Sequence, residues 1–283
     1  MHALYDLPAP AKLNLFLHVT GRRADGYHLL QSVFMLVDIC DTLHIELRRD
    51  GLISREDLGV SGDLPADDLC VRAARALQHA SGTGLGCHIA LHKRIPQQAG
   101  MGGGSSDAAT CLLALKRLWN LPTKLSELEQ IGLTLGADLP FFLRGHNAWV
   151  QGVGEDITPL DLPAQDFVVL KPPSGLSTQA VFSDEALRRD TKTATIQGFA
   201  ANTSAHVFEY GRNDLEPVAR SLCPDVGAGL EWLQNRGLQG RMTGSGSAVF
   251  APLPNREVVL EPAPRGCWVR KCSNLQVHPL WGW

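Results

Sequence analysis

The stretch 96-PQQAGMGGGSSDAATCLLALKRL-118 sets four glycines and two serines directly before a run with helical periodicity. A loop of that composition has the chemistry of an anion cradle. Glycines let the backbone come close to a charged oxygen. The first N–H groups of the following helix, expected to start near Ser105, lack partners and carry about half a positive charge. Neither familiar nucleotide fingerprint fits. No Lys precedes the Ser or Thr after Gly104, and no G-x-G-x-x-G register falls on residues 100–106. The same composition also suits a loop that needs only glycine dihedrals before a serine-capped helix. Both readings stand at this point.

The elements that must position the loop follow from periodicity. Across residues 11–19, Leu13, Leu15, Leu17 and Val19 alternate with Lys12, Asn14, Phe16 and His18. That is the period of a strand with one buried face, and it puts Lys12 and Asn14 together on the other. Further strands are expected at 32–39, 42–47 and 87–92, the last leading into the glycine loop. Leu69, Ala73, Ala76 and Leu77 recur at helical spacing, predicting a helix over 68–80. Ser126 and Glu129 form a capping box for a helix ending near Gly136. Turn formers and acids in 152-GVGEDITPLDLPAQD-166 predict a boundary between a unit of 1–155 and one of 156–283, whose last residues are able to pack back on the first. The second unit opens with a strand at 167–170. It holds a helix near 227–234 and a second glycine turn, 243-TGSGSAVFA-251, leading into a short apolar strand.

Composition limits the partners. At 283 residues, with 44% hydrophobic and 19% charged, the chain can bury most of its unfolded surface. The start, MHALYDLPAPAK, has no apolar segment long enough for a signal peptide, and no window reaches the run of about 18 apolar residues that a membrane span requires. A cytoplasmic protein is expected. Seven cysteines without a CxxC pair suggest free thiols, with neither a disulfide framework nor a zinc site. A formal charge of -3 without a basic stripe argues against nucleic acid or an anionic membrane as the main partner.

Four segments, PAPAKLNLFLHVTGRRADGYHLLQSV, PQQAGMGGGSSDAA, LGADLPFFLRGHNAWVQGVGE and TGSGSAVFA, resemble in order and spacing the motifs of the GHMP kinases, small-molecule kinases without a Walker A loop. DGYH, ADLPFFLRG, STQAVF and NDLEPVA narrow the resemblance to members whose alcohol substrate carries a cytidine diphosphate group. It spans nearly the whole chain. It implies an α+β, two-domain GHMP kinase fold: an N-terminal domain akin to the second domain of ribosomal protein S5, a ferredoxin-like C-terminal domain, and the active site in the cleft. It also implies ATP as phosphoryl donor with Mg2+. The loop of Pro96, Gln97, Gln98, Ala99, Gly100, Met101, Gly102, Gly103, Gly104, Ser105 and Ser106 would then wrap the phosphates, with Lys93 as a further nucleotide contact and Ser106 as a candidate metal ligand. Gln97, Gln98 and Ala99 stand where some relatives carry more glycine, which sets the first half of the loop further from the phosphates. Asp68 stands where relatives often place an Asn near the adenine, and a carboxylate cannot donate the amide's hydrogen bond.

Lys12 and Asp138 form the catalytic pair that the resemblance implies. A kinase acting on an alcohol must take up the hydroxyl proton and balance charge on the phosphoryl oxygens, and one carboxylate beside one ammonium suits both tasks. Taken singly, Lys12 also reads as a solvated strand lysine and Asp138 as the N-cap of a short helix at Leu139-Pro140. For the substrate, the resemblance maps a cytosine sandwich onto Tyr27 and Phe182, with His28 on the base edge and Asn14 and Thr178 on the remainder. Packing over a turn, a surface histidine and a core phenylalanine are the plain alternatives for Tyr27, His28 and Phe182. Two other functions remain open: a GHMP kinase for another small alcohol such as homoserine, mevalonate or a sugar, and a non-enzymatic RNA-holding protein on the S5-like fold.

Overall fold

A computed structural model of the chain describes residues 1–59, 64–201, 207–260 and 262–283. β1 (Ala3–Arg22) and β2 (His28–Arg48) form one long antiparallel hairpin. β2 pairs through residues 42–48 with β4 (Gly86–His92) and through residues 30–34 with β5 (Ala148–Gly152). β3 (Ile53–Asp57) lies parallel to β4, and β6 (Asp156–Pro159) antiparallel to β5, which completes a six-stranded mixed sheet. Helices α1 (Leu69–Ser81), α2 (Gly103–Leu118), α3 (Leu125–Leu135) and α4 (Leu139–Arg144) bury their apolar residues against Leu36, Leu43 and Ile45 of β2 in one core.

The remaining α-helices and strands among the described residues are β7 (Asp166–Lys171), α5 (Thr178–Ser183), α6 (Ile196–Ala200), α7 (Glu216–Leu222), α8 (Pro224–Gln234), β8 (Arg241–Met242), β9 (Val249–Leu253) and β10 (Trp268–Ser273). Their four strands run β10-β7-β9-β8, all antiparallel. That fourth-first-third-second order is the ferredoxin-like one. The chain between β9 and β10 carries no helix among the described residues.

Local differences from the sequence reading have physical reasons. The strand expected at 11–19 continues to Ala3 and Arg22, and both of its faces are buried. Leu13 and Leu15 pack with Phe167, Val169 and Phe250 of the second sheet, whereas Lys12 and Asn14, only 4% and 1% exposed, form a cavity wall. Alternation reports two unlike faces, and it does not distinguish solvent from a polar cleft. The strands expected at 32–39 and 42–47 are one. Asp41, which lies between them, is fully buried within it. The capping box sits two residues earlier than Ser126: the Lys124 backbone N–H donates to Glu127 Oε2 at 2.5 Å, while Glu129 pairs with Arg144 at 2.9 Å.

The two sheets part between β6 and β7. A division after residue 155 would cut the β5–β6 hairpin, in which Gln151 faces Asp156; we propose the division at residues 160–165 instead. The end of the chain returns to the first unit. Leu275 N donates to Leu36 O at 2.8 Å, His278 N to Gly145 O at 2.7 Å, and the Arg117 guanidinium lies 4.6 Å from the Trp283 ring centroid. All seven cysteines are free. No helix among the described residues is long and apolar enough to cross a membrane.

Candidate active site

A cavity of about 1180 Å³ is lined from both halves of the chain. Its glycine loop is held chiefly by backbone hydrogen bonds. Met101 O accepts from Lys12 N at 2.9 Å, Gln98 O from Ser247 N at 3.1 Å, and Ala99 O from Ala248 N at 3.2 Å. The first half of the loop is therefore stapled to β1 and to the second glycine turn. Gly100 makes that approach possible: at φ 71°, a Cβ there would stand 2.2 Å from Thr243 O. Gln98 and Ala99 belong to this staple through their carbonyl oxygens.

The helix behind the loop starts earlier than expected. Gly102, at φ 70° in the left-handed region, occupies the N-cap position, and α2 begins at Gly103, so Ser105 falls in the first turn and caps nothing. The first-turn N–H groups have no partner further back in the helix. Gly104 is exposed at the cavity wall, and a Cβ there would touch only Leu69, at 3.4 Å. This is open space in front of a helix N-terminus, which fits a run of phosphates. Ser106 does not belong to it. Its side chain is fully buried and its hydroxyl donates to Pro10 O at 2.7 Å, so it is not placed to ligate a metal in the cavity, contrary to the expectation from sequence. Among the described residues, no three His, Cys, Asp or Glu side chains are grouped to hold a metal ion.

Beneath the loop lies a charged cluster that sequence reasoning missed. Lys93 Nζ binds Asp41 and, at 2.6 Å, Asp107 Oδ2. Burial works against the Lys93 ammonium, but Asp107 and Asp41 outweigh it and hold its pKa well above ordinary lysine. Burial pushes the Asp107 carboxyl well up, against the pull of Lys93. A Cβ on Gly103 would stand 3.3 Å from Lys93 Nζ and 3.0 Å from Ile95 Cγ2, so that glycine makes room for the cluster. The signal available in the sequence was Asp107 itself, an acid inside a glycine-serine loop.

The Lys12–Asp138 pair forms across the cleft, Nζ to Oδ2 3.6 Å. Asp138 stands at the N-cap position of α4, yet its side chain makes no capping hydrogen bond. The carboxylate is turned to Lys12 instead. Lys12 Nζ also donates to Asn14 Oδ1 at 2.6 Å and sits 4.2 Å from the Phe34 ring centroid. Burial pushes its pKa below that of ordinary lysine, and Asp138 opposes the shift. Asn14 is fixed in turn: its Nδ2 donates to Ser32 Oγ at 2.8 Å, and its backbone N–H donates to Thr243 Oγ1 at 2.9 Å.

The far part of the cavity is aromatic. His28 and Phe182 meet from opposite halves of the chain, ring centroids 5.1 Å apart and tilted by 36°. Tyr27 also lines the cavity, but it is 64% exposed and it is His28 that meets the Phe182 ring, so the sandwich expected of Tyr27 and Phe182 is not preformed. Thr178 Oγ1 and Ser245 Oγ share a hydrogen bond of 2.7 Å. Apart from Ser106, every residue expected at the site lines this one cavity. Asp68 lines it too, with both oxygens committed: Oδ1 accepts from Val71 N at 3.0 Å, capping α1, and Oδ2 pairs with Arg55 at 2.8 Å.

Residues 68–146 match the GHMP kinases N terminal domain and residues 192–261 the GHMP kinases C terminal domain. The chain belongs to the GHMP kinase family, and it is a small-molecule kinase. A protein of Polaromonas sp. (strain JS666) named 4-diphosphocytidyl-2-C-methyl-D-erythritol kinase is 65% identical, over 100% of this chain and 95% of that one. A protein of the same name from Variovorax paradoxus (strain S110) is 61% identical, over 100% and 99%. Among solved structures, a 4-(cytidine 5'-diphospho)-2C-methyl-D-erythritol kinase aligns with TM-score 0.80 at 34% identity, covering 94% of this chain and 98% of that chain. A homoserine kinase from Cytophaga hutchinsonii aligns with TM-score 0.70 at 15% identity, covering 98% and 96%, a likeness of fold alone. The non-enzymatic alternative falls with the family assignment.

Proposed function

We propose that this chain transfers the γ-phosphoryl group of ATP to the 2-hydroxyl of 4-diphosphocytidyl-2-C-methyl-D-erythritol, a step in the non-mevalonate route to isoprenoid precursors. The observation that carries this reading is that a single cavity is lined at once by the Lys12–Asp138 pair, the glycine loop with the N-terminus of α2, and the His28–Phe182 rings. It is supported by relatives of that name at 58–65% identity over the whole chain.

The chain's own groups divide the work. Asp138 accepts the proton of the attacking hydroxyl, and Lys12, held by Asn14 and the Phe34 face, balances the charge of that carboxylate and orients the oxygen. The amides of Gly103, Gly104 and Ser105 face the phosphates of ATP. Lys93 contributes positive charge beneath them while anchored by Asp41 and Asp107. Magnesium accompanying ATP would be held chiefly by phosphate oxygens and water. His28 and Phe182 bind the pyrimidine, Tyr27 closing over it from its exposed position, with Thr178 and Asn14 on the rest of the substrate. The test is the product: mass spectrometry and phosphorus NMR after incubation with ATP are expected to show one new phosphomonoester on the 2-carbon. A product phosphorylated elsewhere, or none, would overturn the assignment.

A further inference from the structure

The residue that holds His28 in place comes from the other half of the chain. Arg189 Nε donates to His28 Nε2 at 3.0 Å. The rest of its guanidinium is fixed on backbone carbonyls: Nη1 donates to Leu187 O at 2.9 Å, and Nη2 to Phe182 O at 3.1 Å and Asp184 O at 2.8 Å. One side chain therefore ties the His28 ring to the segment that carries Phe182, the ring stacked against it. A guanidinium donates and never accepts, so the nitrogen it faces must be the unprotonated one. His28 is neutral in that arrangement, with its proton on Nδ1, and Nδ1 has no hydrogen-bond partner within the described protein and is not among its buried unpaired atoms. Burial, and after it Arg189 and Arg22, push the His28 pKa down, in accord with the neutral ring.

From this geometry we infer that Arg189 is a positioning residue that locks His28 as an Nδ1–H donor and thereby sets the site for cytosine against uracil. The inference rests on the reading of the cavity as a cytidyl site. Cytosine N3 is an acceptor and uracil N3 carries a proton. A fixed donor matches the first and opposes the second, and the mismatch leaves two buried donors facing each other. An imidazole free to exchange tautomers would accept from uracil as readily as it donates to cytosine. The lock, not the presence of a histidine, produces the discrimination.

Two measurements test it. Nitrogen-15 NMR of histidine-labelled, ligand-free protein reads the tautomer directly, with His28 assigned by its loss in His28→Gln. The expected result is a protonated Nδ1 and an unprotonated Nε2, with protonation at Nε2 appearing in Arg189→Met. Calorimetry then compares cytidine and uridine 5′-monophosphates. The wild type is expected to prefer the cytidine compound by about 5- to 150-fold, the worth of one unmatched buried hydrogen-bonding pair, and Arg189→Met to bring that ratio toward one. A proton on His28 Nε2 in the wild type, or an unchanged ratio in Arg189→Met, would overturn the inference. If the wild type binds neither nucleotide, the cytidyl reading of the cavity fails, while the tautomer measurement still decides the role of Arg189.

Discussion

Replacing Asp138 by Asn preserves the shape of the side chain and removes its charge and its basicity. The structure indicates that little else is lost. Asp138 makes no capping bond in α4, and its ion pair with Lys12 is 3.6 Å long. Lys12 retains Asn14 at 2.6 Å and the Phe34 ring at 4.2 Å. At the ion-pair distance of 3.6 Å an effective dielectric of about 20 gives a gross attraction of roughly 4 to 5 kcal/mol, much of it offset by desolvation of the buried ammonium. The net effect on folding is therefore small. The effect on chemistry is large, because the hydroxyl proton loses its acceptor: turnover is expected to fall by about 10² to 10⁴, or roughly 3 to 5 kcal/mol of barrier. Steady-state ADP release with the cytidyl alcohol reads this as a fall in kcat at little-changed KM, with unaltered circular dichroism as the control. Lys12→Met should also reduce kcat, and the double variant should lose less than the two single losses combined. Near-wild-type turnover in Asp138→Asn, or full additivity with Lys12→Met, would refute the assignment of the pair.

Gly104→Val places a side chain in open space at the mouth of the phosphate cradle, where a Cβ meets only Leu69 at 3.4 Å. Calorimetry should show weaker ATP binding with unchanged cytidine monophosphate binding and unchanged Tm. Phe182→Ala removes one stacking face and should raise KM for the cytidyl substrate by about 5- to 150-fold, leaving KM for ATP unaltered. His278, 1% exposed, has a buried Nε2 without a partner, and burial pushes its pKa down to about 4. The unfolded chain, with an ordinary histidine near 6.5, binds the proton first, so stability is lost as pH falls from about 6.5 to about 4, by up to about 3 kcal/mol. Urea unfolding at stepped pH should show that slope in the wild type and its absence in His278→Leu.

What the sequence carried and what it withheld divide along physical lines. Period-two alternation placed Lys12 and Asn14 on one face of β1, because backbone geometry alone sets that relation. It gave no sign that the face looks into a cleft, since the opposing wall comes from α4 and from the turn at 243–247, far away in the chain. The glycine loop was legible by composition, but the stapling of residues 98–101 to β1 and to the second glycine turn depends on backbone hydrogen bonds that no side-chain pattern encodes. The buried ion pair of Asp41 gave no local sign, because its partner, Lys93, lies 52 residues away. Arg189, in a stretch of ordinary charged residues, gave no local sign of its contact with His28 161 residues away. Such pairs are fixed by tertiary structure, and single-sequence periodicity is blind to them.

The acceptor specificity decides the account most directly. Purified protein with ATP and magnesium should be offered, in parallel, 4-diphosphocytidyl-2-C-methyl-D-erythritol, homoserine, mevalonate and galactose, with ADP release measured for each. Release is expected with the cytidyl alcohol, inhibited competitively by cytidine monophosphate, and none above background with the other three. Turnover of homoserine, mevalonate or galactose, with the cytidyl alcohol inert, would contradict the reading of the aromatic end of the cavity and leave only a GHMP kinase of another specificity.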